Sequence, residues 1–278
     1  MSGQEVSAAD VEAVISAVAK SKRYTVVAPQ TIRRIARRAL VSAQGNVPDA
    51  VKRTKRGLHE IYGAYLPGSA PNYRALLRKV QAAVDTGDEQ QLRSVLESAM
   101  RVHASTRERL DQLSTFYHEV FRRVPAPKVV NDLACGFNPL AVPWMGLADG
   151  VTYVASDIDT GQAGFLDEVL TLLGVEHRVE VVDLVDEPPR VPADLTFLLK
   201  TVPCLERQRT GAGWELLDQV ASPWLVVTFP TKSLGQKSKG MFRTHSTAFE
   251  TYSARRPWHV DWFELSNELV YVVEKPEL

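Results

Sequence analysis

Cysteine is scarce in this chain, with Cys135 and Cys204 alone among 278 residues. Two cysteines cannot build a disulfide framework, and neither sits in the CxxC spacing of a zinc site. None of the six histidines is spaced with a second ligand, so no metal is expected. Long apolar runs are also missing, and the first 24 residues mix charged and apolar positions. This pattern excludes a membrane span or secretory leader and makes a cytoplasmic protein the expectation. Repeats and low-complexity tracts are absent. With 45% apolar and 24% charged residues, the composition is that of a globular protein, and the length favours two domains.

The charge total, 33 basic against 33 acidic, conceals a division. Residues 1 to 110 hold 18 Lys/Arg and 10 Asp/Glu, a net +8, and the remainder balances them with a net −8. A basic half beside an acidic one suggests that the N-terminal part meets a polyanion. Its helical periods run over about residues 9–20, 30–43, 72–84 and 88–103. In the second, Ile32, Ile35, Ala36, Ala39 and Leu40 share one side while Arg33, Arg34, Arg37 and Arg38 share the other. Lys20, Lys22, Arg23, Lys52 and Arg53 extend this surface, with Asp49 the only acid between Lys20 and Arg56. A basic surface with so few acids repels itself unless phosphates neutralise it, so these residues are the candidate RNA contacts. The S-x-x-E form at Ser105 to Glu108 predicts a capped helix starting there and ending before Pro125.

From Lys128 the texture becomes β/α. Val129 to Leu133, Val151 to Ser156, Val179 to Val182, Leu195 to Leu199 and Trp224 to Phe229 are apolar runs suited to a parallel sheet. His259 to Leu265 and Glu268 to Glu274 flank Ser266-Asn267 as a hairpin, which implies an antiparallel edge and one reversed strand. Ligands of such sheets bind at the carboxyl ends of the strands. The first strand runs into Ala134-Cys135-Gly136-Phe137-Asn138-Pro139, where Gly136 lets backbone approach a ligand and Asn138 suits an N-cap. Asp157 ends the second strand, at the spacing from Gly136 of an acid that binds a ribose diol, and Asp183 follows the third, able to reach an adenine edge. No G-x-G-x-x-G is present, which disfavours a dinucleotide and favours S-adenosylmethionine, whose carboxylate would need a cation such as Arg109 or Arg107. Lys200 ends the fourth strand, either paired with an acid such as Glu206 or awaiting an anion. A basic, glycine-punctuated loop containing Lys237 and Lys239 follows the fifth.

The strings HASTRERL (His103 to Leu110), DLACGFNPLA (Asp132 to Ala141), ASDID (Ala155 to Asp159), LLKTVPCLE (Leu198 to Glu206) and FPTKSLGQKSKGM (Phe229 to Met241) resemble the aminoglycoside-resistance 16S rRNA (guanine(1405)-N7)-methyltransferases, most closely those of aminoglycoside-producing actinomycetes. The resemblance implies a Rossmann-like class I methyltransferase sheet at residues 106–278 with an added all-helical rRNA-recognition domain at residues 1–105. It also implies S-adenosylmethionine as cofactor, the 30S subunit as partner, a monomer, and resistance to the kanamycin and gentamicin class. Its cofactor-binding residues would be Arg109 at the methionine carboxylate, Gly136 where backbone approaches the cofactor, Asp157 at the ribose and Asp183 at the adenine, with Ala134, Ile158 and Leu184 also in the cofactor site. Lys200, Glu206 and Met241 match its active-site motifs, and Lys237 and Lys239 join the RNA contacts. Phe137 and Trp144 are the aromatic candidates for stacking on the target base.

Guanine N7 carries an available lone pair, so transfer to it needs positioning and no general base, which fits the missing acid/base pair. Two alternatives stand beside this. Pro203-Cys204 invites a covalent cytosine-C5 mechanism, and the chain could instead be a noncatalytic RNA-binding protein that retains a cofactor fold.

Overall fold

The computed structural model describes residues 6–66, 71–187, 192–231 and 239–276, and the side chains of 239–245 lie outside that description. Helices α1 (Ala8–Ala19), α2 (Pro29–Ser42) and α3 (Val47–Leu58) come first, followed by a π-helical turn at His59–Gly63. Pro29 opens α2 at a position where its missing N–H costs nothing, and Asn46 caps α3 by accepting from the Asp49 N–H at 3.0 Å. The apolar faces of these helices close on Val14, Val18, Leu40 and Leu58 as one small core. Helices α4 (Tyr73–Thr86) and α5 (Glu89–Met100) turn elsewhere: Val80, Leu96 and Met100 pack into the core that also holds Phe116, Phe137 and Phe165.

The single helix expected from Ser105 is three pieces: α6 (Ala104–Arg107), a 3-10 turn at Leu110–Gln112 and α7 (Leu113–Phe121). Ser105 is not a cap, because α6 begins at Ala104 with His103 in the cap position, two residues earlier, and His103 makes no side-chain cap bond. Glu108 cannot close a capping box either, since its carboxylate binds the Lys200 ammonium at 2.6 Å.

The sheet has the order β3-β2-β1-β4-β5-β7-β6, with β1 Val129–Leu133, β2 Thr152–Asp157, β3 Glu176–Val181, β4 Leu195–Leu199, β5 Trp224–Pro230, β6 His259–Glu264 and β7 Glu268–Glu274. The first five strands are parallel, and β7 alone is reversed. The hairpin folds inward, so that the reversed strand lies against β5 and the edge strand β6 runs with the parallel set. Helices α8 (Val142–Met145), α9 (Thr160–Leu172), α10 (Thr201–Gln208), α11 (Ala212–Gln219) and α12 (Lys239–Ser253) complete a doubly wound layer.

The helical region is stitched to the loop after β2. Val27 forms an antiparallel bridge with Asp159, the Ala28 N–H donates to the Ile158 carbonyl at 2.8 Å, and the Thr160 N–H donates to the Val26 carbonyl at 2.8 Å. Tyr62 and Tyr73 both donate hydroxyl hydrogen bonds to Asp159 Oδ2, at 2.7 and 2.8 Å, while Asp159 Oδ1 caps α9. A buried carboxylate with three donors is well satisfied.

Candidate active site

Both residues at the turn after β1 have left-handed backbone, Ala134 at φ 54° and Gly136 at φ 52°. At Gly136 a side chain is excluded twice over, because a Cβ there would also lie 2.8 Å from the His103 ring. Asp157 closes the turn: its carboxylate accepts from the N–H of Gly136 at 2.9 Å and from that of Ile158 at 2.7 Å. Burial raises the Asp157 pKa above the ordinary carboxylate value, against the pull of these donors. Asn138 is no N-cap. It is buried beneath the turn, where its amide donates to Asp132 and its carbonyl accepts from Tyr117 and Arg109.

These strand ends form one wall of a cleft of about 770 Å³, open mouth included. Ala134, Gly136, Asp157, Ile158, Asp183, Leu184 and Lys200 all line it. The facing wall comes from the helical region, with Ile61 and Tyr62 on the π-helical turn, then Tyr65, His103 and Ser105. His103 is clamped between the rings of Tyr65 at 5.6 Å and Phe137 at 5.8 Å. Burial first, then the charges of Lys200 and Arg107, lowers its pKa to about 4, so the imidazole is neutral at physiological pH. None of these helical residues was evident as cofactor-facing from sequence, although His103 and Ser105 lie in the HASTRERL string.

Four expectations need correction. Arg109 does not face the cleft: it is 1% exposed and donates twice to Glu268, at 2.6 and 3.1 Å, with Phe116 against its guanidinium. Its third nitrogen, Nη1, donates to Asn138 Oδ1 at 3.2 Å, so every nitrogen of the guanidinium already has a partner inside the core. Glu206 is neither in the cleft nor paired with Lys200. Its carboxylate accepts from the N–H groups of Gly211 and Gly213, at 3.0 and 2.8 Å, and so holds the start of α11. Glu206→Ala should therefore cost about 1 to 2 kcal/mol of stability, as lost caps do, and leave cofactor affinity intact, as denaturation and calorimetry will show. Phe137 is buried in an aromatic stack and Trp144 lies under Arg93, so neither is presented to a base. Lys200 stays in the site, only 8% exposed, with Glu108 at 2.6 Å and Glu268 at 3.9 Å.

The basic surface divides likewise. Lys20, Lys22, Arg37, Arg38 and Lys52 are exposed and have no ion-pair partner among the described residues. Arg33 and Arg53 are exposed but paired, with Glu12 at 2.6 Å and Asp49 at 2.8 Å. Two of the expected RNA contacts point inward. Arg23 donates to the carbonyls of Gly63 and Leu66, at 2.6 and 3.0 Å, and so ties down the end of the π-helical turn. Arg34 turns toward Asp183. Lys237, and the side chains of Lys239 and Met241, lie outside the described residues. Arg38, Arg53, Arg56 and Arg207 line a second groove that shares Ile61 and Gln208 with the cleft.

The family described as ribosomal RNA methyltransferase (FmrO) matches residues 20–272. The chain belongs to the FmrO family of ribosomal RNA methyltransferases. It is 59% identical over 265 residues to the 16S rRNA (guanine(1405)-N(7))-methyltransferase of Micromonospora echinospora, covering 95% of this chain and 97% of that one. The enzyme of the same name from Frankia casuarinae is also 59% identical, over 95% of this chain and 94% of its own length. Among solved structures, the 16S rRNA methyltransferase RmtF in complex with S-adenosyl-L-homocysteine is similar with a TM-score of 0.83 and 34% identity, over 96% of this chain and 98% of that one. The FmrO-family chain has, among its described residues, no helix long and apolar enough to cross a membrane and no side-chain cluster suited to a metal ion.

Proposed function

We propose that this chain transfers the methyl group of S-adenosylmethionine to N7 of guanine 1405 in the 16S rRNA of the 30S subunit, and so confers resistance to aminoglycosides of the kanamycin and gentamicin class. The observation that carries this reading is the 59% identity, over nearly the full length of both chains, to an enzyme with that reaction in its name. The cleft suits the cofactor. The side-chain-free face of Gly136 and the backbone of Ala134 admit its methionine end, Asp157 accepts from the ribose diol, and Ile158, Leu184 and Asp183 surround the adenine. When bound, S-adenosylmethionine supplies an electrophilic sulfonium methyl. The chain's own task is then positioning, since guanine N7 has no proton to lose before it attacks. Lys200, held by Glu108 at the cleft floor, keeps a cation beside the reacting centre, and Met241 stands as an active-site candidate on the resemblance alone.

The exposed Lys20, Lys22, Arg37, Arg38 and Lys52, with Arg33, Arg53, Lys237 and Lys239, are the phosphate contacts. Residues 1–105 form the recognition unit and residues 106–278 the methyltransferase unit, in a monomer acting in the cytoplasm, where its subunit substrate is. Incubation with methyl-labelled cofactor should load label onto the 16S rRNA of intact 30S subunits, and unlabelled subunits would sink the proposal. Asp157→Ala should weaken cofactor binding by about 1 to 3 kcal/mol in calorimetry, through loss of a charged acceptor.

The cytosine-C5 alternative requires a thiolate. Cys204 lines the cleft, but burial pushes its thiol pKa up despite the nearby charge of Arg207, so it is held protonated. Cys204→Ala should cost about 1 kcal/mol or less in stability and retain methylation. Complete inactivity of that variant, folded and cofactor-bound, would instead favour covalent catalysis.

A further inference from the structure

Arg34 stands on α2 amid the exposed arginines, yet its side chain is only 14% exposed and its guanidinium reaches out of the helical region. Its Nε and Nη2 donate to the two oxygens of Asp183 at 2.9 and 3.0 Å, and Nη2 also donates to Gln208 Oε1 at 2.7 Å. Asp186, 3.7 Å away and half exposed, completes the surroundings. Asp183 and Gln208 belong to different walls of the cleft, one in the loop after β3 and the other at the end of α10. One side chain from the helical region thus clamps two parts of the sheet domain. Asp183 is 3% exposed and receives one further bond, from the Val185 N–H at 3.1 Å, so Oδ2 keeps a lone pair for a donor in the cleft. The planar fork of an arginine fixes both the position and the plane of that carboxylate, which a lysine cannot do.

We propose that Arg34 is a positioning residue of the cofactor cleft, which holds Asp183 and Gln208 where the adenosine end of the cofactor meets them. The inference rests on Asp183 facing that ligand. It makes the cofactor site composite, incomplete without the helical region, and takes one arginine of α2 away from RNA recognition.

The experiment is calorimetric titration of the full chain with S-adenosylhomocysteine, with melting temperatures recorded for every variant. Arg34→Ala should raise Kd on the order of tenfold to a hundredfold, the usual scale for a hydrogen bond to a charged group. Arg34→Lys should fall between it and the parent. In steady state the Arg34→Lys defect should appear in KM for the cofactor, with kcat at saturation largely retained. A residue that merely braces the interface would lower the melting temperature and leave Kd and KM alone. Asp183→Ala should weaken binding too, and Arg34→Ala/Asp183→Ala should lose clearly less than the sum of the two single losses, because Arg34 acts chiefly through that carboxylate and only in part through Gln208. Unchanged Kd in folded Arg34→Ala, or fully additive losses in the double variant, would overturn the proposal while leaving the cofactor role of Asp183 intact. Unchanged Kd in Asp183→Ala would overturn both. Should Arg34→Ala fail to fold, the charge-preserving Arg34→Lys decides alone, and an unaltered Kd in it counts against the proposal.

Discussion

Arg109→Ala should destabilise the protein by about 3 to 5 kcal/mol, the scale on which breaking one side of a buried ion pair acts. The substitution strands the Glu268 carboxylate, 0% exposed, with the Lys200 ammonium at 3.9 Å as its remaining counter-charge. It also removes the donor to Asn138 Oδ1 and a cation held 4.6 Å over the ring of Phe116. Urea denaturation reads this loss directly. Replacing both partners, as Arg109→Met with Glu268→Leu, should recover much of it, since neither charge of the pair is then left buried alone and Lys200 keeps Glu108. Burial raises the pKa of Glu268, but Arg109 and then Lys200 outweigh it and hold the carboxyl below its ordinary 4.5. The pair's stabilisation is therefore complete above about pH 4.5 and is lost as pH falls through the folded-state value, so the gap between parent and Arg109→Ala should close in acid. Unaltered stability with abolished cofactor affinity would return Arg109 to the methionine carboxylate.

Reversing Arg37, Arg38 and Lys52 together to glutamate should weaken 30S binding by at least on the order of a hundredfold and flatten its salt dependence by roughly three in slope, about one per phosphate contact. These three are exposed and free of acidic partners among the described residues, so their charge is available and its reversal leaves the fold and cofactor Kd unaltered. Arg34 is left out because its substitution disturbs the cleft. Filter binding across a salt series measures the change, and an unmoved slope would show the arginine face to be merely solvated.

The two strands in the middle of the sheet, Val129–Leu133 and Leu195–Leu199, were readable to the residue from their apolar ends, although each also buries polar residues, Asn131 and Asp132 in the first and Thr196 in the second. The outer strand Glu176–Val181 starts three residues before its apolar run, because an edge strand tolerates Glu176, His177 and Arg178. Spacing also made Gly136 and Asp157 a pair, and the two are directly hydrogen-bonded across 21 residues of chain. What stayed hidden was the direction in which charged side chains point. Arg34 meets Asp183 across 149 residues and Arg109 meets Glu268 across 159, and neither periodicity nor a local motif encodes such partners. The segment from His103 to Leu113 was misread for the same reason, since Glu108 is taken up by Lys200, 92 residues on.

The most direct measurement is primer extension on 16S rRNA from 30S subunits treated with the protein and S-adenosylmethionine, after cleavage chemistry selective for N7-methylguanine. Guanine N7 transfer predicts one new stop reporting guanine 1405, absent without cofactor and retained with Cys204→Ala. A stop at another nucleotide, or methylated RNA that resists this cleavage, would contradict it.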